Sequence, residues 1–416
     1  MAKGREILPW LAIQLAPISQ RAGGNFLDAD RLARESAVDK ARSSAPIGSI
    51  AADAAERAGD RLIAKRGLLR AALIGTGQIA RQHLACLREL PDVEVVAVCD
   101  LSRARAECMA ERFDVAAFFT DSAALLSEMR PDVVHITTPP ASHFPLAMAA
   151  LEFGTNVIVE KPAALAYADV EALTKKALER GVAFIEDHNY VFNRATRQIR
   201  ELIASGEFGE VTHVEAFLCL NILRAGSPFS DPNLPHPSLS MPGAAISDFL
   251  THLASLAFVF IGDHRWVHTN WSNRFSSPLR FSEFRALVGG EHATAMLSFS
   301  ANTRPDAFWL RVYGTKMQAV ANLFETRLTL SRLHRGPKSL NPLINALRES
   351  RDLSKSAFQT LLWKLNGSPG TYEGLWDLLA RVYRALNYGA EMPVSIDQVI
   401  AVNRLVSDLV AEVRPP

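Results

Sequence analysis

The stretch Leu69–Leu87, LRAALIGTGQIARQHLACL, limits the fold more strongly than any other part of this 416-residue chain. An apolar run leads directly into Gly75-Thr76-Gly77, and helically spaced apolar residues begin at Ile79. This order predicts a strand, a glycine turn and a helix. Gly75 would allow a backbone angle that other residues resist, and Gly77 would let a phosphate approach the main chain at the helix N-terminus. On its own, such a pattern is equally typical of a structural turn.

An acidic residue follows the glycines after about twenty positions, as in dinucleotide-binding sequences. Asp100 ends a second apolar run, VEVVAVC, and its carboxylate can accept hydrogen bonds from ribose hydroxyls. Asp100 could instead cap a helix that starts near Ser102. The complete order of elements favours dinucleotide binding. A carboxylate facing the ribose 2′ position would repel a 2′-phosphate, which favours NAD, while Ser102 and Arg103 could bind that phosphate and leave NADP open.

Strand-like and helical runs continue to alternate as far as residue 190. This alternation predicts a Rossmann domain with a parallel, doubly wound sheet, whose ligands lie at the carboxyl ends of the strands. Two loops, Thr137-Thr138-Pro139-Pro140 and Glu160-Lys161-Pro162, follow predicted strands there. The predicted cofactor-binding residues are Gly75, Thr76, Gly77, Gln78, Ile79, Asp100, Ser102, Arg103, Thr137, Thr138, Pro139, His143, Glu160 and Lys161.

After about Asn193 the pattern changes to strand-like runs joined by short turns such as Gly289-Gly290. Such runs predict an α+β domain with an open, mostly antiparallel sheet. We divide the chain into an N-terminal extension at 1–68, helical in patches or disordered, a dinucleotide-binding domain at 69–190, and a substrate and oligomerisation domain at 191–416. The last contains an insertion at about 334–370.

Three residues are candidates for catalysis. Lys161 ends a buried strand next to the expected nicotinamide position, where its ammonium can stabilise developing charge. Asp248 and His252 are four residues apart on a predicted helix, so both project from one face. Histidine titrates near neutral pH and can accept a hydroxyl proton, while the aspartate can orient it. Taken alone, Lys161 is more typical of a surface turn and the Asp248/His252 pair of a structural hydrogen bond, and it is the combination of all three that indicates catalysis.

His188, Asn189 and Tyr190 follow the last strand of the alternating region and are predicted, together with the three catalytic candidates, to bind substrate hydroxyls. His83, His135 and His143 fall inside or next to predicted elements, and we interpret them as structural or as supporting the residues that contact a ligand. We expect no metal site, because no set of histidines, cysteines and acids has a ligand spacing typical of one.

Charge and cysteine content exclude several classes of partner. The net charge is +1, which gives no general attraction to nucleic acid. Cys86, Cys99, Cys108 and Cys219 lie on predicted elements without a paired spacing, so we expect buried thiols in a reducing, cytoplasmic compartment. We also expect no membrane-spanning helix, since no run of about 18 apolar residues is present.

The insertion at 334–370 combines leucines with arginines and lysines at helical spacing. An amphipathic helix of this kind could lie on a membrane or on a lipid-linked substrate. Packing of its apolar face on its own chain or on a partner subunit is the more common use, and we favour it here.

Taken together, these motifs resemble the Gfo/Idh/MocA family, the glucose-fructose oxidoreductase and inositol dehydrogenase group. The resemblance runs from Leu69 to about Val413 through IGTGQIARQHLACL, VCD, ITTPPASH, EKP, HNYVFNR, SGEFGEV and GAAISDFLTH. Family members often carry an arginine, a proline and an acid where this chain has Val191, Arg194 and Ser255. The usual contacts to substrate hydroxyls are therefore changed.

The resemblance implies an NAD(P)-dependent dehydrogenase that transfers a hydride at a hydroxyl-bearing carbon of a sugar, sugar derivative or cyclitol. It implies His252 as proton acceptor, Lys161 as its electrostatic partner and Asp248 as the residue that tunes both. It further implies a homo-oligomer, a dimer or tetramer, formed through the open sheet. The alternatives are a non-catalytic regulator that senses the dinucleotide, and an oxidoreductase for a nucleotide- or lipid-linked sugar.

Overall fold

Two β-sheets, one parallel and one mostly antiparallel, organise the part of the chain that the computed structural model describes. The described residues are 67–413 except 225, 231–235, 276, 326, 334–337 and 366–369. They fall within one compact unit, Ile63–Pro416. The expectations for the extension before residue 67 lie outside these residues.

The first sheet has six parallel strands in the order β3-β2-β1-β4-β5-β6. Its strands are β1 (Leu69–Ile74), β2 (Val93–Cys99), β3 (Phe118–Phe119), β4 (Val133–Ile136), β5 (Asn156–Val159) and β6 (Phe184–Glu186). The helices between them are α1 (Gln78–Glu89), α2 (Arg103–Phe113), α3 (Ser122–Met129), α4 (His143–Glu152) and α5 (Tyr167–Arg180). The doubly wound Rossmann sheet predicted from the sequence is thus confirmed.

Helices on both faces explain why these strands are almost continuously apolar. The central strand residues Leu73, Val134 and Val157 are completely buried. The short strand β3 was not predicted, because two phenylalanines are too few to show a pattern.

The second sheet has seven strands in the order β13-β12-β11-β7-β10-β9-β8. The strands are β7 (Val211–Cys219), β8 (His264–Ser272), β9 (Glu283–Gly290), β10 (Thr294–Ser300), β11 (Ala307–Gly314), β12 (Met317–Asn322) and β13 (Arg327–Arg332). All neighbours pair antiparallel except β7 and β10, which pair parallel. The expected mostly antiparallel sheet is confirmed, and β13 is an additional strand.

Two helices accompany this sheet: α6 (Arg194–Ala204) precedes β7, and α7 (Ser247–Ile261) lies in the chain between β7 and β8. The stretch Ala244–Ile261, which contains α7, has a mean hydropathy of 1.7 and is long and apolar enough to cross a membrane, contrary to our expectation. However, 78% of it is buried inside the protein. This stretch is therefore a core helix that packs on the second sheet.

Three helices end the described chain: α8 (Asn341–Leu365), α9 (Glu373–Tyr388) and α10 (Ile396–Val410). α8 lies within the predicted insertion. Leu378 and Val382 of α9 belong to the core of the first sheet, although the sequence assigned this helix to the second domain. An amphipathic pattern shows that one face is buried but does not show which sheet buries it.

The cysteines differ from expectation at one position. Cys86, Cys99 and Cys219 are buried, and all four thiols are free. Cys108 is exposed, because it lies on the solvent side of α2.

Candidate active site

A cavity of about 900 Å³ lies at the carboxyl ends of the first sheet's strands. The strand order reverses between β1 and β4 at this point, which is where open α/β sheets bind ligands. The cavity wall combines the glycine turn with the start of α7. Predicted residues that line it are Gly75, Thr76, Gly77, Gln78, Ile79, Asp100, Ser102, Thr137, Thr138, Pro139, Glu160, Lys161 and Asp248.

The glycine turn has the shape that a pyrophosphate group needs. Gly75 has a φ of +96°, and a Cβ at this position would lie 2.8 Å from the carbonyl oxygen of Thr137. A Cβ at Gly77 would meet no atom within 4 Å. Gly77 begins α1 without a side-chain cap, so the helix N-terminus presents its N–H groups to the cavity. These residues fit a dinucleotide phosphate.

Asp100 accepts hydrogen bonds from two turns of the chain. The N–H and hydroxyl of Thr76 donate to its Oδ2 at 2.9 and 2.8 Å, and the N–H of Ser102 donates to its Oδ1 at 2.9 Å. Partial burial raises the pKa of Asp100, but the bonds from Thr76 and Ser102 outweigh burial and lower it. A carboxylate oxygen accepts about two hydrogen bonds. Oδ1 therefore keeps room for a ribose hydroxyl, so both roles considered for Asp100 are compatible.

Near Asp100, the arginine that lines the cavity is Arg105 and not the predicted Arg103. Arg103 lies over the ring of Phe118, 5.2 Å from its centroid, and does not line the cavity. Arg105 does line it, and its charge helps to lower the pKa of Asp100. The choice between these two arginines depends on where α2 begins, and a sequence pattern does not locate a helix start to within one residue.

His143 lies behind the predicted cofactor loop and is held by main-chain oxygens. Its Nδ1 and Nε2 each lie 2.7 Å from a carbonyl oxygen, those of Pro162 and Thr138. The ring is almost fully buried and does not line the cavity. His143 thus joins the loop after β4 to the loop after β5.

Lys161 and Asp248 meet at the cavity wall. Lys161 Nζ donates to the Asp248 carbonyl oxygen at 3.0 Å and lies 3.3 Å from Asp248 Oδ1. Burial lowers the pKa of Lys161, but the carboxylates of Asp248 and Glu160 outweigh burial and raise it, so the amine is charged. An ammonium has three N–H bonds. One of them stays available to a ligand.

A buried hydrogen-bond chain stands behind Lys161. His83 Nε2 lies 3.1 Å from Glu160 Oε1, His83 Nδ1 lies 2.8 Å from His135 Nδ1, and His135 Nε2 lies 2.9 Å from the Tyr383 hydroxyl. If Tyr383, His135 and His83 each donate toward Glu160, every member is satisfied with neutral rings. Burial and neighbouring His83 lower the pKa of His135, which agrees with a neutral ring.

Glu160 and Asp187 have opposite pKa shifts at the end of this chain. Burial raises the pKa of both, but the hydrogen bond from His83 and the charge of Lys161 lower that of Glu160, whereas the Glu160 carboxylate raises that of Asp187 further. The shifts favour an ionised Glu160 and a protonated Asp187. Ligand atoms of His83, Glu160 and Asp187 lie within 4.8 Å of one another, but the neighbouring Lys161 charge disfavours a cation there.

His252 lies one helical turn after Asp248 and is buried, with 9% of its surface exposed. Its Nδ1 has no hydrogen-bond partner, and its ring packs on Tyr190 with centroids 4.8 Å apart. Burial and the charge of Lys161 lower the pKa of His252 well below its usual range, so the imidazole is neutral. It does not line the cavity as Asp248 does.

The three residues predicted after β6 separate in the structure. His188 is fully buried, with Nε2 2.9 Å from Glu186 Oε2 and Nδ1 3.1 Å from Gln398 Nε2, so both ring nitrogens have partners inside the protein. Tyr190 packs between His252 and Phe308. Asn189 has a buried Oδ1 without a partner. None of the three lines the described cavity.

His236, which the sequence reading missed, lines the cavity near Asp248 and Lys161. The N–H of Ser238 donates to its Nδ1 at 3.3 Å, so a neutral ring carries its proton on Nε2 and acts as a donor. Burial lowers the pKa of His236, Asp248 opposes this change, and Lys161 adds to it. The segment has no helical or strand periodicity, so only the histidine between two prolines, PHP, marks it in the sequence.

Comparison with known proteins identifies both sheet regions. Residues 69–188 match the family model described as "Oxidoreductase family, NAD-binding Rossmann fold", and residues 196–320 match the "GFO/IDH/MocA C-terminal domain". Together the two models cover more than half of the chain.

Individual relatives match parts of the chain. D-glucoside 3-dehydrogenase of Escherichia coli is 34% identical over 144 residues, which are 34% of this chain and 41% of that protein. The chain thus spans about two-fifths of that relative's length. dTDP-3,4-didehydro-2,6-dideoxy-alpha-D-glucose 3-reductase of Streptomyces violaceoruber is 28% identical over 290 residues, 67% of this chain and 78% of that protein.

A solved structure agrees with the fold. The WlbA dehydrogenase of Bordetella pertussis, in complex with NADH and UDP-GlcNAcA, superimposes with a TM-score of 0.66 at 15% identity, covering 84% of this chain and 96% of that one. With a Rossmann cavity that fits a dinucleotide and an open second sheet behind it, this chain belongs to the Gfo/Idh/MocA oxidoreductase family.

Proposed function

We propose that the protein is an NAD-dependent oxidoreductase that transfers a hydride at a hydroxyl-bearing carbon of a sugar, sugar derivative or cyclitol. The observation that carries this proposal is the charged Lys161 held by Asp248 on the wall of the cavity that also contains the glycine turn. The relatives named for a D-glucoside and for a dTDP-linked hexose support the substrate class.

Bound NAD supplies the hydride acceptor. The chain's own residues hold the substrate hydroxyl and manage its proton. The remaining N–H of Lys161 donates to the substrate oxygen and stabilises the negative charge that develops there. Glu160 and Asp248 keep the lysine charged, and the buried chain through His83 holds Glu160 in place.

The proton acceptor in this proposal is His252. A base must be unprotonated to act, and burial together with Lys161 keeps this imidazole neutral. Asp248, one turn earlier on the same helix, lies on the cavity wall, where its carboxylate orients the hydroxyl between lysine and histidine. His236 donates to a second substrate oxygen.

A nucleotide-linked sugar is the second candidate substrate. The dTDP-sugar reductase matches over 78% of its own length, a larger share than the D-glucoside dehydrogenase. The outer part of a nucleotide-linked substrate would need space beyond Lys161, next to His236 and Pro237.

The test measures reduced nicotinamide with NAD or NADP and a panel of free hexoses, hexosides, inositols and dTDP- or UDP-linked hexoses, in both reaction directions. We expect turnover with NAD and at least one panel member, and faster turnover than with NADP. If NAD binds but nothing in the panel reacts in either direction, the regulator hypothesis replaces this one.

Cytoplasmic location and a homo-oligomeric state are further parts of the proposal. The four free thiols, one of them exposed, support a reducing compartment. Exposed apolar side chains on the open sheet, Trp266, Leu287 and Met296, support association of subunits through that sheet. Light scattering on the purified protein measures the mass directly.

A further inference from the structure

The long helix α8 packs on the protein with its polar side. Asn345 exchanges hydrogen bonds with the main chain of Arg332, and the Ser331 hydroxyl donates to Glu349 at 2.5 Å. Farther along, a small cleft against α6 and β13 is lined by Asp352, Ser356 and Gln359, and also by Lys355, which is exposed. The edge strand β13 is thus joined to α8 mainly by polar contacts.

The apolar side of α8 faces outward. Leu347 is 64% exposed and Phe358 62% exposed. Together with the exposed Leu343, Leu361 and Leu362, they form a stripe with steps of three or four residues, if Ser350 and Ser354 are counted in the middle. From Leu343 to Leu362 this stripe is about 28 Å long, at 1.5 Å per residue.

The two serines do not interrupt the stripe with unsatisfied donors. The Ser350 hydroxyl donates to the Ala346 carbonyl oxygen at 2.8 Å, and the Ser354 hydroxyl donates to the Ser350 carbonyl oxygen at 2.9 Å. Both hydroxyl protons are therefore used within the helix. The stripe is thus apolar at both ends, and its middle carries two hydroxyl groups whose protons are already bonded within the helix.

Charge on α8 is divided between its two sides. Arg351 and Lys355 are exposed along one flank of the stripe, whereas Glu349 and Asp352 are half-buried on the side toward β13. Among the described side chains of 341–362, the exposed ones include no acid. An outward surface of leucine, phenylalanine and cations matches an anionic lipid surface, where apolar side chains enter the acyl boundary and basic ones meet phosphate.

We propose that α8 is an interfacial helix that docks this protein on an anionic membrane surface, in reversal of the preference drawn from the sequence. This inference does not depend on the proposed catalytic activity. A second copy fits less well. An antiparallel pairing that matches Leu343 and Leu347 with Phe358 and Leu362 would bring Arg351 and Lys355 of both copies together, and like charges oppose such an interface.

The test is co-sedimentation of the full chain with vesicles of phosphatidylcholine alone or of an equal mixture with phosphatidylserine. We expect roughly tenfold more protein on the anionic vesicles, with loss of that excess at high salt. A variant with Leu347→Glu, Phe358→Glu and Leu361→Glu should lose binding to both. The matched control is Leu178→Glu, because Leu178 is 66% exposed on α5, away from α8.

The double variant Arg351→Glu, Lys355→Glu provides a second measurement that leaves the leucines intact, and it should lose the preference for anionic vesicles. Equal sedimentation of wild type with both vesicles would overturn the proposal, as would a triple variant that still binds. A wild-type oligomer that the triple variant dissociates, without vesicle binding by wild type, would assign the stripe to a second copy instead.

Discussion

The helices α7 and α8 are both rich in leucine and phenylalanine, yet the protein uses them in opposite orientations. In α7, Leu250, Leu253 and Ile261 are completely buried, whereas in α8 Leu347 and Phe358 are 64% and 62% exposed. α7 packs between the second sheet and α10, so partners surround it. α8 packs on the half-buried edge strand β13, where polar contacts suffice. A helix rich in apolar residues therefore has a face that favours contact with an apolar surface. The surrounding structure decides whether that surface belongs to the same chain.

This difference also separates two kinds of function. The packing of α7 places Asp248 on the cavity wall and buries His252, which keeps that imidazole neutral. This helix thus positions two of the proposed catalytic residues. α8 exposes its apolar and basic side chains to solvent. We assign that exposed side to contact with a membrane surface.

The largest expected effect is on turnover. Lys161→Ala and His252→Ala should each lower kcat by ~10²-fold to 10⁴-fold, since each removes one group that the proposed mechanism places on the reacting hydroxyl. Steady-state rates with the reactive sugar measure this effect, and a fluorescence titration should show nearly unchanged NAD affinity. Leu347→Glu on α8 serves as control and should keep wild-type kcat. An equal loss in the α8 variant would contradict the division of roles.

The next effect is on stability. Leu253→Ala should lower the free energy of unfolding by ~2–5 kcal/mol, because it leaves a cavity in a fully buried part of α7. Leu347→Ala is the matched change on α8 and should cost within ~0.5 kcal/mol, since that side chain already lies in solvent. Denaturant unfolding compares the two. A similar loss in both would show that α8 packs its apolar side on this chain.

The smallest effect is a pH dependence. Because burial and Lys161 lower the pKa of His252 below its ordinary value of 6.5, the folded protein binds fewer protons there than the unfolded chain does. Stability from this site is complete above the unfolded pKa and falls as pH drops below 6.5, by up to ~1.4 kcal/mol per pH unit. Unfolding free energies measured across this range should show the slope, and His252→Gln should reduce it.

The same lowered pKa affects catalysis. The acid limb of kcat/KM against pH should lie below 6.5, because a neutral His252 accepts the proton. A limb above that value would point to another base.

Much of the site was accessible from the sequence because its residues lie in local patterns. Gly75, Gly77 and Asp100 have fixed spacings around strands, and the structure places them on one cavity wall. Lys161 and Asp248 are 87 residues apart but each stands at the end or start of a recognisable element, and they meet. Arg103, His143 and His188 do not line the cavity, and their positions depend on the direction of a side chain, which a local pattern does not show.

The sequence alone determined the order of strands and helices, the parallel first sheet and the mostly antiparallel second one, because apolar periodicity and glycine turns are local signals. Tertiary structure decided which side chains are buried, which line the cavity and which sheet each helix packs on. It enclosed His252 and His188, placed His236 and Arg105 at the cavity, moved α9 to the first sheet and turned the leucines of α8 outward. These outcomes depend on contacts between residues far apart in the chain, which no local pattern encodes.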